Sequence, residues 1–324
     1  MKDQMYNFKI PNETLFRNNL AVVITTQNRT NGVDNLLDSI KNNSRYPDLI
    51  VIISSGVSIE SIISKYSNLM NILHEHVEMI SQSYQKEIGS QRARLNHNFV
   101  LFLDDYFTLD KNFFDKCYSI TKNLSKDIMG LGFKIDNFKE KQITHLKLRL
   151  KFQSHSKNIG SVSRSGFAIS YQESQNEIQT SWLSSLSLWR SSVFEEFQFA
   201  EITSKYSALE DLIFSYPIGK KYELIFCPKL KVYMEPREIA SDSYVKRAFY
   251  TLLHRRYFIK KNSGFSVSLF YVNSLITTLH HLLNSRRKIH RQYLKGSFIA
   301  LLFLLFFEIF NFFNLIEDEW LIRQ

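Results

Sequence analysis

The apolar positions fall into short blocks whose period switches between two and 3.6. Leu20–Thr26 (LAVVITT) is an unbroken β-branched run and predicts a buried strand. Gln27–Gly32 follows as a polar turn, and Val33, Leu36, Leu37 and Ile40 then lie on one helical face. Leu49–Ile53 predicts a second strand, followed by Ser54-Ser55-Gly56, and Ile59, Ile62, Ile63 and Tyr66 a second helix. Phe99–Leu103 predicts a third strand ending at Asp104-Asp105, and Leu109, Phe113, Cys117, Ile120 and Leu124 mark the next helix. This alternation implies an α/β fold, a parallel sheet flanked by helices. Ligands of such sheets bind beyond the carboxyl ends of the strands, where the three polar loops lie. No GxGxxG or GxxxxGK[ST] is present, so neither a dinucleotide fingerprint nor a P-loop is supported.

Residues 130–180 read as a loop-rich insert with turns at Gly130, Gly132, Gly160 and Gly166. Ala208–Tyr216 carries Glu210-Asp211 at the head of a helix, and Tyr222–Phe226 and Leu230–Met234 read as two strands. Two uncharged stretches follow. Phe265–Leu283 lacks Asp, Glu, Lys and Arg, and Ser297–Ile316 holds ten consecutive apolar residues and one acid, Glu308. A bilayer span needs about 20 apolar residues. The stretches are therefore expected to lie in or dip into a membrane interface; a clean span and a soluble helical cap are the alternatives. The chain divides into residues 1–235 and a basic, apolar helical extension, 236–324.

Charge sharpens the picture. The chain has 324 residues and a net charge of +10, and Lys231–Gly296 alone holds 13 Lys/Arg against 3 acids. The rest of the chain carries no net charge. One-sided basic segments meet polyanions or anionic bilayers, and the neighbouring apolar stretches favour an anionic membrane surface. No recognition helix, zinc finger or RNP-like pattern supports nucleic acid. Apolar residues make up 44%, enough for a sizeable core. Cys117 and Cys227 are the only cysteines, which excludes a disulfide scaffold and points to a reducing compartment. Met1–Arg17 lacks an apolar h-region, so no signal peptide is expected.

Two acidic pairs carry the candidate chemistry. Asp104-Asp105 closes an apolar strand, where adjacent carboxylates are costly unless they meet a cation or hydrogen-bond donors. A divalent metal carrying a diphosphate would satisfy them, and so would a solvated helix cap. Glu210-Asp211 heads a helix, as a cap or as a general base.

Six segments in order, VVITTQNR, VIISSG, QKEIG, FVLFLDDY, WLSSLSLWRSSVFEEFQF and ALEDLIFSYPIGKKY, resemble family 2 glycosyltransferases of the GT-A fold, in particular bacterial enzymes that build surface polysaccharides. The resemblance covers Leu20–Asn262. It implies a nucleotide-binding loop at Thr25, Asn28 and Arg29, and a nucleotide-bordering segment at Gln85, Lys86 and Gly89. It implies that Asp104 contacts the donor and that Asp105 holds Mg²⁺ or Mn²⁺. Trp182 and Arg190 match the acceptor-side segment; Trp182 also reads as a core aromatic and Lys86 as a surface lysine. Asp211 matches the catalytic base, with Glu210 beside it. The implied function is inverting transfer of a sugar from a nucleotide-diphosphate donor to a hydroxyl of a glycan or lipid-linked acceptor, at the cytoplasmic face of a membrane, peripheral or monotopic.

The chain departs from the family pattern. Ser54 and Ser55 stand where an acidic pair is usual, Ser185 replaces a Gly, Tyr106 a third Asp, Met234 a metal-ligating His, and Pro217 lies where an Arg is common. A catalytically degenerate scaffold in a polysaccharide assembly is therefore the second reading. A nucleotidyltransferase is a third, against which Gln27–Gly32 offers no convincing triphosphate loop.

Overall fold

The computed structural model describes residues 19–137, 159–204, 206–235, 241–312 and 316–323. The domain boundary at 235/236 and the Met1–Arg17 segment lie wholly or partly outside them. The first half builds four parallel strands: β1 (Leu20–Gln27), β2 (Leu49–Ser55), β3 (Ile72–His76) and β4 (Phe99–Asp104). Between them run α1 (Thr30–Lys41), α2 (Glu60–Tyr66) and α3 (Gln82–Ala93). β5 (Phe107–Leu109), α4 (Phe113–Lys122), β6 (Ile128–Ile135), β7 (Ile178–Thr180), β8 (Ser187–Arg190) and α5 (Val193–Glu196) follow. Then come α6 (Glu210–Lys221) and β9 (Glu223–Met234).

The strands form one mixed sheet in the order β3-β2-β1-β4-β8-β6-β9-β5, with β7 also paired to β9. The parallel half matches the sequence expectation. β3 was not anticipated, and the two strands expected around Cys227-Pro228 are one, β9, with a register shift against β6. Leu109, expected in the helix after the third predicted strand, lies in β5 instead.

Side-chain alternation along β1 divides the core. Val22 and Ile24 pack with Leu36 and Leu37 of α1 on one face, and Ala21 and Val23 with Val51 and Phe102 on the other. Gly89 explains how α3 settles on that second face: a Cβ there would lie 2.4 Å from Val23 Cγ1. The close approach brings Gln85 and Lys86 over the carboxyl edge of the sheet.

Three further helices, α7 (Ser241–Lys261), α8 (Val267–Leu283) and α9 (Lys288–Phe312), and a 3₁₀ turn at Asp318–Ile322 complete the described chain. Leu212 and Tyr216 of α6 share a core with Leu253 and Phe258 of α7, Phe270 of α8 and Leu304 and Phe307 of α9. The C-terminal helices thus pack directly behind the helix that carries Glu210 and Asp211.

Candidate active site

Parallel register aligns the strand ends. Thr25 of β1 pairs with Ile53 of β2 and with Asp104 of β4, so three strands finish at one level. Asp104 and Asp105 leave that edge buried, at 4% and 5% exposure. Buried carboxylates need donors, and both have them. Thr26 Oγ1 donates to Asp105 Oδ2 at 2.7 Å and Arg29 Nη1 to Asp105 Oδ1 at 2.6 Å. Asp104 accepts from Gln82 Nε2 at 2.8 Å, from Ser185 Oγ at 2.7 Å and from the Tyr106 hydroxyl. Gly32 admits α1 to this corner, since a Cβ would lie 2.3 Å from the Asp105 carbonyl oxygen.

The second acidic pair reaches the same place from far along the chain. Leu209 adopts φ +60°, an uncommon conformation for a non-glycine residue, and turns the chain sharply into α6. Glu210 and Asp211 then occupy the first helical turn, where the helix dipole favours negative charge. Lys86 Nζ meets Glu210 Oε1 at 3.1 Å, with both side chains buried. Burial alone would lower the Lys86 pKa, but the charges of Glu210, Asp104 and Asp211 hold it above the ordinary lysine value. Asp211 Oδ1 accepts from the Leu212 amide at 2.8 Å. Burial, with repulsion from Glu210, pushes the Asp211 carboxyl up to about 7 despite the opposing pull of Lys86. Lys86, Ser184, Ser185 and Asp211 line a cavity of about 10 Å³, room for roughly one water. Ser185 bridges the two acidic pairs, lining the cavity beside Asp211 while donating to Asp104.

The remaining expected residues distribute unevenly. Asn28 takes φ +55°, and its Oδ1 accepts from the Val57 amide at 2.8 Å, tying the loops after β1 and β2 together. Thr25 is buried in the sheet, and its neighbour Thr26 is the residue that touches Asp105. Gln85 Nε2 donates to Thr26 O and to Ser55 Oγ, each at 3.1 Å. Ser54 Oγ lies 2.8 Å from His74 Nε2, whose Nδ1 faces Glu60 Oε1 at 3.0 Å. Trp182 packs on Tyr171 at 5.2 Å between the second and third cores, which fits its reading as a core aromatic.

Arg190 requires a correction. It pairs with Phe99, the first residue of β4, whereas Asp104 is the last. Five residues of strand put it about 16 Å from the carboxylates. Its guanidinium clamps the carbonyls of Leu124, Ser125 and Ile128, so its role is to hold the α4–β6 turn. Sequence reasoning also passed over Thr26 and Gln82. The one signal for Thr26 was a hydroxyl at the last buried position of β1.

The expected divalent cation meets an unfavourable donor set. Asp105 has both oxygens engaged and its charge already faced by Arg29. Tyr106 offers a phenol bonded to Asp104, and Met234, where the resemblance expects a His, packs on the first core with a thioether that suits Mg²⁺ and Mn²⁺ poorly. Among the described residues, no group of three or more His, Cys, Asp or Glu is placed to hold a metal ion. The residues present do not make a preassembled metal site.

No family model and no curated protein matches the chain by sequence. Solved structures do match in fold. A mannosyltransferase, PcManGT from Pyrobaculum calidifontis, in complex with GDP-Man and Mn²⁺, is 13% identical over 95% of this chain and 84% of its own, with TM-score 0.51. GalNAc-T7 with UDP, GalNAc and Mn²⁺ is 14% identical over 77% of this chain, with TM-score 0.50. S. aureus TarS is 13% identical over 86% of this chain, with TM-score 0.48. The chain spans 55% of that TarS structure's length and 52% of GalNAc-T7. Its architecture, a mixed sheet flanked by helices, is the GT-A fold of the mannosyltransferase and GalNAc-T7.

Proposed function

We propose that the chain is an inverting glycosyltransferase that moves a sugar from a nucleotide-diphosphate donor to a hydroxyl of a glycan or lipid-linked acceptor in polysaccharide biosynthesis. One observation carries the reading: a carboxyl poised near neutrality, Asp211, shares a buried cluster with Asp104 at the carboxyl edge of a parallel sheet. The donor lies across the loops after β1 and β2, with its sugar toward Asp104. The free carboxylate oxygen of Asp211 takes the proton of the acceptor hydroxyl. The acceptor oxygen, so deprotonated, attacks the anomeric carbon as the bond to the diphosphate breaks on the opposite face, which inverts the centre. Arg29, beside Asp105, is the cation offered to the departing diphosphate, and Lys86 pairs with Glu210 behind the base.

In a second arrangement, suggested by the fold relatives solved with Mn²⁺, Asp105 would hold Mg²⁺ or Mn²⁺ in place of Arg29, and the cation would neutralise the diphosphate charge. The reading also includes attachment to the cytoplasmic face of an anionic membrane. The basic segment supports it, as does one helix, Lys288–Asn311, that is long and apolar enough to cross a bilayer. The test is transfer from a panel of nucleotide sugars. Turnover that Asp211→Asn abolishes supports the enzyme reading, and absence of turnover with every donor, together with retained nucleotide binding, supports the scaffold reading.

A further inference from the structure

From Phe298 to Phe307 α9 is apolar all round, which a helix tolerates only if every face meets an apolar partner. One face has its partner in the protein. Ala300, Leu304 and Phe307 are buried against α7 and α8. Gly296 allows the crossing, since a Cβ there would lie 2.3 Å from the Val245 carbonyl oxygen. Glu308 turns inward to Arg256 Nε at 2.6 Å and to the Tyr271 hydroxyl at 2.8 Å. Beyond the helix the chain returns to the same body. Trp320 stacks on Phe303 at 4.8 Å, and the Ser204 amide donates to the Ile322 carbonyl at 3.3 Å. Both ends of α9 are thus tied to one side of the molecule, an arrangement for lying in an interface and not for crossing a bilayer.

The opposite face has no protein partner among the described residues. Leu302, Leu305, Phe306, Ile309 and Phe310 are exposed along α9, and Val272, Leu275, Leu279 and Leu282 along the antiparallel α8. Soluble monomers rarely expose so continuous an apolar surface. Between the two helices runs a groove of about 560 Å³, within the range of small-molecule sites. Leu275, Leu279, Leu282, Leu294 and Phe298 line it. Thr278 and two exposed cations, Arg291 and Lys295, complete the lining, and Arg286, Arg287 and Lys288 stand in or beside the adjoining turn.

An apolar trough with two cations on its α9 wall matches an anionic amphiphile. We infer that the α8–α9 groove binds one anionic phospholipid of the bilayer leaflet, its phosphate at Arg291 and Lys295 and an acyl chain along the leucines. A second copy of the chain fits less well, because it would set the same cations against each other. The inference rests on the membrane attachment proposed above and adds a defined, stoichiometric site to it.

Soluble short-chain phosphatidylglycerol and phosphatidylcholine, titrated into the full-length protein in a calorimeter, test the site without a bilayer. One phosphatidylglycerol per chain is expected, with weaker binding of phosphatidylcholine. Arg291→Glu with Lys295→Glu should cost about fivefold per residue, the usual worth of a cation near an anionic surface. Thr278→Trp, which fills the groove and keeps it apolar, should abolish binding. Wild-type protein that binds neither lipid, variants that bind as wild type does, or a dimer in sedimentation that hides this face would overturn the site. Vesicle flotation reads the membrane attachment separately. Flotation without stoichiometric lipid binding removes the groove alone, and lipid binding without flotation removes the attachment alone.

Discussion

Arg29 Nη1 stands 2.6 Å from Asp105 Oδ1, so a guanidinium occupies the position where the sequence pattern predicts a metal. The loop that carries Arg29 is brought over Asp105 by Thr26 and by the close contact of Gly32 with the Asp105 backbone. Charge-assisted pairs of this kind contribute about 1.5–3 kcal/mol. Nucleoside diphosphate binding in the presence of chelator should therefore persist in the wild type and fall at least about tenfold in Arg29→Ala. With Asp105 freed, that variant should bind nucleotide more tightly on addition of Mn²⁺. Titration calorimetry decides the matter, and wild-type binding that vanishes in chelator would return the role to the metal.

Asp211 must lose its proton before it can accept one. With its carboxyl raised to about 7 by burial and by Glu210, turnover should climb as pH rises through about 7 and level off above it. Asp211→Asn should lower kcat by about 10²–10⁴-fold and leave nucleotide binding near wild type. Glu210→Gln removes a repulsion and leaves Lys86 to stabilise the Asp211 carboxylate, so the rising limb should move to lower pH. A limb unmoved in Glu210→Gln would separate Glu210 from the base.

The particular residues show what a sequence can carry. β1, β2 and β4 are legible because they are buried on both faces and so are apolar up to their carboxyl ends. β3, ILHEH, lies at the sheet edge with its His and Glu side chains partly exposed, and its pattern carries no such signal. Pro228 reads as a break, yet β9 runs through it by shifting register. The acidic pairs are legible because carboxylates after apolar runs are costly. The partner of Asp105 is not, since Arg29 lies 76 positions away and meets it only through loop geometry. Arg190 fits a motif spacing, but strand register carries it to the opposite end of β4.

His254 of α7 connects the C-terminal helices to the base. Its Nδ1–H donates to the Ala208 carbonyl at 2.8 Å, one residue before the turn at Leu209, and its Nε2 faces Ser204 Oγ at 3.2 Å. Burial depresses its pKa from 6.5 to about 4, so the folded ring is neutral where the unfolded one binds a proton. The unfolded state takes up more protons between these values, and stability therefore rises with pH across that window and is lost as pH falls through it. The contribution is about 3 kcal/mol. Thermal unfolding followed from pH 4 to 7 should show this slope in the wild type, and His254→Gln should flatten it. An unchanged slope in the variant would assign the dependence to other groups.

The last contact to test is the one that fastens α9. Arg256 is buried and makes two bonds to Glu308, from Nε at 2.6 Å and Nη2 at 3.0 Å, while its Nη1 is buried without a hydrogen-bond partner. Removing one member of such a pair leaves a charge stranded, at a cost of about 3–5 kcal/mol, whereas replacing both by apolar residues of similar size is often neutral or better. Glu308→Leu should thus lower Tm markedly, and the double variant Arg256→Met with Glu308→Leu should recover most of the loss. Scanning calorimetry of the four proteins measures the coupling. If α9 instead left the body to cross a bilayer, Arg256 and Glu308 would act independently, and the double variant would be no more stable than the worse single one.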